Sequence, residues 1–468
     1  MALRFKNTFS RIKEDFKPIE DGKVKIYTCG PTVYNFQHIG NFRTFMWGDI
    51  LRRYLKYKGY DVTYVMNITD IDDKIIRDSQ AQKKSRKEFI QTYVDAFLED
   101  LNSLGFLEPD VQPYATDHID GMVTMIQTLV ERGFAYEIDG NYYYKISAFK
   151  EYGKLANLDM DGLKAGARVA ADEYEKDSVS DFALWKSWQK SDGEIYWDTP
   201  IGKGRPGWHI ECSVMSQKYL GNHFDIHTGG VDLMFPHHEN EIAQSEGCTG
   251  HKSVNYWLHG EHLIVEGKKM SKSLGNFYTL RDIINKGYAG VVVRYLLSST
   301  YYRQQLNFTF QGLEAARNSL ERYNDFITNL ESYSGSDSDN SAVEIIAKAK
   351  AGFEENLDDD LNVSGALGVI FDFIRDINRL KAENNLSVEE KDSALEAMLG
   401  FDSVFNFRYH LEESDDVNAT EIEDWIQKRV DAKKNKDFAL ADKIREDLLE
   451  RGIILEDSRE GTKWKKKV

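Results

Sequence analysis

A chain of 468 residues is too long for one ordinary core and implies about two to four domains. A formal net charge of −17 excludes a surface coated in nucleic acid, and the longest apolar stretch, Gly290 to Ser299, is cut by Arg294, which excludes a membrane span. Between Lys428 and Val468, thirteen Lys/Arg stand against nine Asp/Glu, so RNA phosphates are best tolerated there.

From the N-terminus, Arg4, Lys6, Arg11 and Lys13 are interrupted by Glu14 and Asp15 with no apolar segment after them, so a secretory leader is not expected and the compartment is expected to be cytoplasmic. Val24 to Cys29 reads as a strand, followed by Gly30-Pro31, a helix from about Phe42 to Lys58 and a second strand at Val62 to Asn67. This βαβ start predicts a parallel sheet with ligands at the carboxyl ends of its strands. Phe89, Ile90, Tyr93, Val94, Phe97, Leu98, Leu101 and Leu104 fall on one helical face, and a further amphipathic helix is expected from about Asp117 to Glu131. Residues 134–199 change character, with Tyr142-Tyr143-Tyr144 alternating into a strand and Trp185, Trp188 and Trp197 among Gly and charged residues, as in an inserted, partly β module. Strand pattern resumes at Phe224 to His227 and at Tyr256 to Val265. From about Leu280 the chain is expected to be helical, with breaks at Ser332 to Ser341 and at Glu412 to Asn418.

Lys269-Met270-Ser271-Lys272-Ser273, flanked by Gly267 and Gly275, sets two ammonium groups among hydroxyls in a loop able to close, which suits the mobile charge of a triphosphate. Upstream, His38-Ile39-Gly40-Asn41 lies just before a helix N-terminus, where main-chain N–H groups favour phosphate oxygens. On those four residues alone a histidine capping its own helix is the better reading; the lysine loop reverses that preference. Gly202-Lys203-Gly204-Arg205-Pro206-Gly207 has the letters of a dinucleotide fingerprint but follows no convincing strand and contains Pro206, so it is not read as one, and no Walker segment occurs.

Cys29, Cys212 and Cys248 are too few and too scattered for a disulfide framework. Cys29 and Cys212 together with His237 and Glu241, which stand at i, i+4 on a helix expected to begin at Pro236, offer two thiolates, an imidazole and a carboxylate. By spacing alone, a metal site and two buried cysteines beside a solvated helix face are equally open; His238 and Cys248 are spare ligands by chemistry. In the tail, Lys433, Lys434 and Lys436 stand beside Phe438, and Lys463, Lys465, Lys466 and Lys467 surround Trp464, a combination that suits RNA phosphates and unstacked bases or else a solvated charge run.

The His38 turn with the Lys269 to Ser273 loop resembles the paired signatures of class I aminoacyl-tRNA synthetases. Tyr27 to Tyr34, Asn67 to Lys74, Asp181 to Lys186, Gly207 to Ser213 and Phe235 to Glu241 resemble segments of the cysteinyl-tRNA synthetases in particular, nearly end to end. The resemblance implies an α/β fold. Its split Rossmann-like parallel-sheet catalytic domain has halves at 1–133 and 200–265 around a connective insertion at 134–199. A signature-loop and stem-contact region follows at 266–315, then a helical bundle domain at 316–410 and a small α+β anticodon-binding domain at 418–468.

The same resemblance implies one zinc ion per subunit on Cys29, Cys212, His237 and Glu241, and an amino-acid pocket at Gly30, Thr69, Trp208 and Asp232. ATP, carrying magnesium, would lie at His38, Gly40, Asn41, Gly229, Gly230, Lys269 and Lys272, with His38, Lys269 and Lys272 catalytic. The expected reaction activates L-cysteine with ATP to cysteinyl-adenylate and pyrophosphate, then transfers cysteine to the 3′ end of tRNA(Cys), in a monomer. Asn41 stands where the family usually has a second histidine; an amide can donate a hydrogen bond but carries no charge.

Zinc would select the thiol over the nearly isosteric serine hydroxyl by softness and acidity, without an editing domain. Three rival readings fit the sequence less well. A ligase passing activated cysteine to an amino-sugar acceptor needs no basic tail, a non-catalytic RNA-binding relative needs neither His38 nor Lys272, and a methionine synthetase has no use for a thiolate-binding metal.

Overall fold

The computed structural model describes residues 2–158, 181–336, 341–409, 419–435, 437–450, 453–458 and 461–466. The break at Glu412 to Asn418, the middle of the Ser332 to Ser341 loop, part of the insertion, Lys436 and Lys467 lie outside the described residues.

Strand β1 (Lys23–Thr28) alternates as its sequence predicts: Val24 and Ile26 are buried in one core and Tyr27 in another on the opposite face. Helix α1 (Ile39–Tyr57) follows, burying Phe42, Phe45, Met46, Ile50, Leu51, Tyr54 and Leu55 at helical spacing, and returns the chain to β2 (Asp61–Met66). Next come α2 (Asp73–Ala81), N-capped by Asp72, then α3 (Arg86–Ser103), and α4 (Ile119–Glu131). Leu98, expected on the buried face of α3, is 41% exposed; the apolar stripe is narrower than its sequence suggests and passes through Phe89, Ile90, Val94, Phe97 and Leu101.

The insertion is an antiparallel sheet built from β3 (Ala135–Ile138), β4 (Asn141–Tyr144), β5 (Phe182–Ser187), β6 (Trp197–Thr199) and β7 (Gly202–Pro206), in the order β3-β4-β5-β7-β6. The glycine-rich run at 202–207 is therefore itself a strand and its exit, and a Cβ at Gly204 would meet the Lys186 carbonyl oxygen at 2.2 Å. Those glycines allow close strand packing.

The chain then re-enters the nucleotide fold through α5 (Trp208–Leu220), β8 (Phe224–Gly230), α6 (Glu239–Thr249) and β9 (Val254–Gly260). The four strands form one parallel sheet in the order β9-β8-β1-β2, covered on both faces. Strand order reverses between β1 and β8, which opens a crevice at their carboxyl ends where Cys29-Gly30 and Gly229-Gly230 emerge. Helical backbone starts at Pro236 as expected: within 234–238 Phe235 alone is non-helical (φ −135°, ψ 131°), and the residues after it run on into α6.

Beyond a small sheet of Leu263–Val265, Lys268–Lys269 and Leu306–Phe308, helices α7 (Gly290–Ser298), α8 (Phe310–Glu331), α9 (Val343–Asp358), α10 (Val363–Ala382) and α11 (Val388–Phe405) share a core with α1. Buried Arg294 joins the parts: it donates to Asp49 Oδ2 on α1 at 2.6 Å and to the Phe405 carbonyl at the end of α11 at 2.6 Å. The tail comprises α12 (Ala419–Lys434), α13 (Phe438–Glu450) and the hairpin β10 (Ile453–Ser458) and β11 (Gly461–Lys466), around a small core of its own: Ile422, Ile444, Leu448, Ile453 and Leu455.

Candidate active site and metal centre

The crevice is a cleft of about 790 Å³ whose walls include Cys29, Gly30, His38, Asn41, Trp208, Gly230, Asp232 and Lys272. Residues separated by up to 243 positions thus meet at the carboxyl ends of β1 and β8. Gly30 is required by close approach, since a Cβ there would lie 1.7 Å from the Asn67 carbonyl oxygen. At Gly229 a Cβ would meet the His238 ring at 2.6 Å.

At the floor, Cys29, Cys212, His237 and Glu241 are all buried, with one donor atom of each lying within 4.8 Å of the others. The two Sγ atoms are 3.8 Å apart, Cys29 Sγ lies 3.5 Å from Glu241 Oε1, and His237 Nε2 lies 3.0 Å from the same oxygen. Burial pushes the Cys29 thiol well above its ordinary pKa, whereas the hydrogen bond from Cys29 brings Cys212 down to about 6. Burial works against charge on His237 and Glu241 too, yet Cys212 and Glu241 raise His237 to about 10, and His227 and His237 hold Glu241 at about 2. The cluster is thus a buried set of acids and bases that share protons, and a cation held there would displace them. It could hold a metal ion.

A second set, Cys29, His227, His238 and Glu241, meets the same distance test and shares two members with the first. His227 Nε2 lies 2.9 Å from Glu241 Oε2, and His238 Nε2 lies 3.4 Å from Cys29 Sγ. Behind them His238 Nδ1 contacts His259 Nε2 at 2.8 Å, and His209 Nδ1 contacts His237 Nδ1 at 2.9 Å. Sequence spacing missed His209, His227 and His259; for the latter two the available signal was a polar ring inside the strand segments Phe224 to His227 and Tyr256 to Val265, whereas His209 lies on α5 and gave no such signal. Cys248, a spare ligand by chemistry, sits elsewhere, half-buried in a separate hollow with His118.

Trp208 stacks on His237 with centroids 4.4 Å apart and faces the cleft. Thr69 is buried behind Gly30: Asn67 Oδ1 accepts from the Gly30 N–H at 2.9 Å, Asn67 Nδ2 donates to Thr69 Oγ1 at 3.1 Å, and Thr69 donates to Glu211 at 3.0 Å. Asp232 is exposed on the turn after Gly230, and its charge bears on His38 across the cleft.

His38 caps its own helix while also facing the cleft, so the two readings of that turn are compatible. Its Nδ1 accepts the Asn41 main-chain N–H at 3.2 Å, and Asn41 Oδ1 accepts the His38 N–H at 3.2 Å. A ring nitrogen that accepts from an amide carries no proton, so the neutral imidazole holds its hydrogen on Nε2. Burial lowers the His38 pKa and keeps the ring neutral. Gly40 lies under that ring, where a Cβ would sit 3.0 Å from Nδ1. In the lysine loop, Ser271 Oγ accepts from the Leu274 N–H, and Asn276 ties both ends by accepting from the Ser271 N–H at 2.9 Å and donating to the Lys269 carbonyl at 3.1 Å. Lys272, with its ammonium 5.3 Å from the Phe277 ring centre, lines the cleft; Lys269 is exposed on the strand leading to it.

The tail departs from its expected pattern. Trp464, read as a face for unstacked bases, packs against the tail's own core, and Lys433 joins Arg429 on Asp457 at 2.8–2.9 Å. Phe438 is 62% exposed. No helix among the described residues is long and apolar enough to cross a membrane.

The profile of tRNA synthetases class I (C) catalytic domains matches residues 15–318, and that of the DALR domain matches residues 352–407. The chain is 48% identical over 470 residues to the cysteine--tRNA ligase of Protochlamydia amoebophila, covering 100% of this chain and 98% of that one. To the same enzyme of Solibacter usitatus it is 50% identical over 468 residues, covering 100% of both. Among solved structures, methionyl-tRNA synthetase of Mycobacterium tuberculosis, in complex with methionyl-adenylate, superposes with a TM-score of 0.60 at 14% identity, covering 82% of this chain and 90% of that one. The LeuRS ternary complex from Agrobacterium radiobacter K84 gives 0.61 at 12% identity, covering 84% and 85%. With the parallel sheet, the cleft at its switch point and these full-length relatives in hand, the chain belongs to the cysteine--tRNA ligase family of class I aminoacyl-tRNA synthetases.

Proposed function

We propose that the cleft activates L-cysteine with ATP and passes it to the 3′ end of tRNA(Cys), and that zinc on Cys29, Cys212, His237 and Glu241 selects the thiol. The supporting observation is the spacing at the cleft floor. Ligands on arms of about 2.3 Å around a tetrahedral zinc stand about 3.8 Å apart along an edge; Cys29 Sγ and Cys212 Sγ are 3.8 Å apart. The donor set, two soft thiolates with one imidazole and one carboxylate, suits zinc over magnesium or calcium. When bound, zinc supplies an affinity for a deprotonated thiol that a serine hydroxyl does not match.

The remaining work falls to the chain's own residues. Trp208, stacked on His237, closes the pocket beside the substrate side chain, and Gly30 and Asp232 border the space for its polar end. The cysteine carboxylate attacks the α-phosphate, forming a new P–O bond as the bond to pyrophosphate breaks. His38 Nε2–H donates to a phosphate oxygen, and Lys272 and Lys269 neutralise the charge that builds on the leaving pyrophosphate, whose magnesium arrives with ATP. Asn41, Gly40, Gly229 and Gly230 shape the ATP wall. None of these groups acts as a nucleophile. The tail, 418–468, would read the anticodon.

Pyrophosphate exchange driven by cysteine and by serine tests the reading. Exchange with cysteine, and exchange with serine at least about a hundredfold weaker, is expected; equal rates would sink zinc selection.

A further inference from the structure

The two segments that face ATP lie far apart in the sequence, yet the residues that follow the lysine loop run along the His38 turn. The Ile39 N–H donates to the Tyr278 carbonyl at 3.0 Å, and Thr279 pairs with His38 in an antiparallel bridge. Thr279 also caps the short helix Leu280–Ile284, its hydroxyl accepting from the Asp282 N–H at 3.2 Å. The stretch 277–279 is thus anchored, whereas the loop before it turns through Gly267 and Gly275 at φ 73° and 66°, with open space around both. Phe277 is the first residue of the anchored stretch and lines the cleft. Its ring meets the His38 imidazole edge to face, with centroids 5.3 Å apart and planes at 83°. The Lys272 ammonium lies 5.3 Å from the centre of the same ring and has no other partner among the described residues. Phe277 lies outside the apolar cores, so core packing does not account for its place.

Two constraints meet in that ring. Asn41 restrains the His38 imidazole within its own plane by occupying Nδ1, and Phe277 restrains the plane itself, so Nε2–H is left one direction. Lys272 is an exposed ammonium on a flexible stem, and the negative face of the ring holds it at the cleft wall without an ion pair. A phosphate is the stronger partner and can take the cation over. We propose that Phe277 is a positioning residue for adenylate formation: its ring sets the His38 imidazole and the Lys272 ammonium on the triphosphate together. The inference rests on the ligase reading of the cleft and adds to it the side chain that joins its two ATP-facing segments.

Phe277→Leu keeps apolar bulk but has no π face, and Phe277→Tyr keeps the face. In cysteine-dependent pyrophosphate exchange, Phe277→Leu should lower kcat by about tenfold, the combined size of one edge-to-face pair and one exposed cation–π contact. Its zinc content and KM for cysteine should match the wild type, which also reports that the fold is intact. Phe277→Tyr should stay within about twofold of the wild-type rate. Because the ring acts in part through Lys272, the loss should shrink to about threefold when Phe277→Leu is made on Lys272→Met, where the cation is already gone. Full kcat in Phe277→Leu, an equal loss in Phe277→Tyr, a matching rise in KM for cysteine, or the same loss with and without the ammonium would overturn the proposal alone. A wild type that exchanges no pyrophosphate with cysteine would overturn the ligase reading and the proposal with it.

Discussion

His38 and Asn41 hold each other through two reciprocal hydrogen bonds, each 3.2 Å, at the first turn of α1. Asn41 thereby does two things that its position in the sequence did not separate. Its main-chain N–H fixes the His38 tautomer, and its side-chain oxygen satisfies an N–H that the helix start would leave without a partner. With Oδ1 committed to the cap, the amide NH₂ is the end left for the cleft.

Replacing Asn41 should therefore separate stability from rate. Asn41→Ala should lower unfolding free energy by about 1 kcal/mol, the usual value of a cap, and slow exchange by about tenfold or more through a less ordered His38. Asn41→Asp keeps the accepting oxygen and should recover the stability but not the rate, because its carboxylate would face ATP phosphates. Urea unfolding and pyrophosphate exchange on the three proteins would decide it; an Asn41→Asp protein with full rate removes any role for the amide in the cleft.

Metal content is the second expectation. Cys212→Ser replaces the thiol that the Cys29 hydrogen bond brings down to about 6 with a hydroxyl that does not ionise near neutral pH. The purified variant should carry well under one equivalent of zinc, and its KM for cysteine should rise while ATP binding is kept. Elemental analysis with exchange kinetics checks this, and full zinc with unchanged cysteine affinity would remove Cys212 from the ligand set. Because His227 and His238 form a second set with Cys29 and Glu241, His238→Ala is the informative companion: it should retain zinc if Cys212 and His237 are the true ligands.

How far the sequence reached can be followed residue by residue. β1 and β2 were legible because Val24, Ile26 and Tyr27 obey a local period, and the cleft was legible because His38 and Lys272 belong to dense local motifs. His227 and His259 escaped because they act through contacts to Glu241 and His238 made across strands, where spacing carries no information. Trp464 was misread for the opposite reason. Its basic neighbours suggested an RNA-facing ring, but the alternation of β11 turns it onto Ile453 and Leu455, and tertiary packing prevails over local composition. The pairing of His237 with Glu241 was legible because helical backbone runs on from Pro236 into α6, which sets His237 Nε2 3.0 Å from Glu241 at i, i+4 spacing.

Asp100 gives a pH dependence independent of the metal. It is 4% exposed on α3, and burial, with the adjacent Glu99 carboxylate, raises its pKa to about 6 although Arg281 Nε lies 3.4 Å away. A raised carboxyl pKa means that the folded state binds the proton more tightly than the unfolded chain. The stability from Asp100 is full below about pH 4, where both states are protonated, and is lost as pH rises through about 6. Asp100→Asn should thus match the wild type near pH 4 and exceed it at pH 7.5, by at most about 3 kcal/mol. Denaturant unfolding across that range would show the difference growing with pH; a constant difference would mean that Arg281 compensates the charge fully.

Deletion of Asn418 to Val468 tests the division of labour along the chain. The tail's apolar residues, Ile422, Ile444, Leu448, Ile453 and Leu455, pack on one another in a cluster separate from those around the cleft, so removing them exposes no catalytic core. Cysteine-dependent pyrophosphate exchange should stay within about twofold of the full chain, because every residue placed at the cleft precedes residue 278. Charging of tRNA should weaken through KM by about tenfold or more, the size of a few lost phosphate or base contacts, and the salt dependence of binding should become shallower. The exposed Phe438, Lys428 and Lys434 are the first residues to test singly; Trp464 and the buried Arg429, held on Asp457, are poor choices, since their substitution would disturb the tail fold and mimic the deletion. Unaltered KM for tRNA in the truncated protein would show that the anticodon is read elsewhere or not at all.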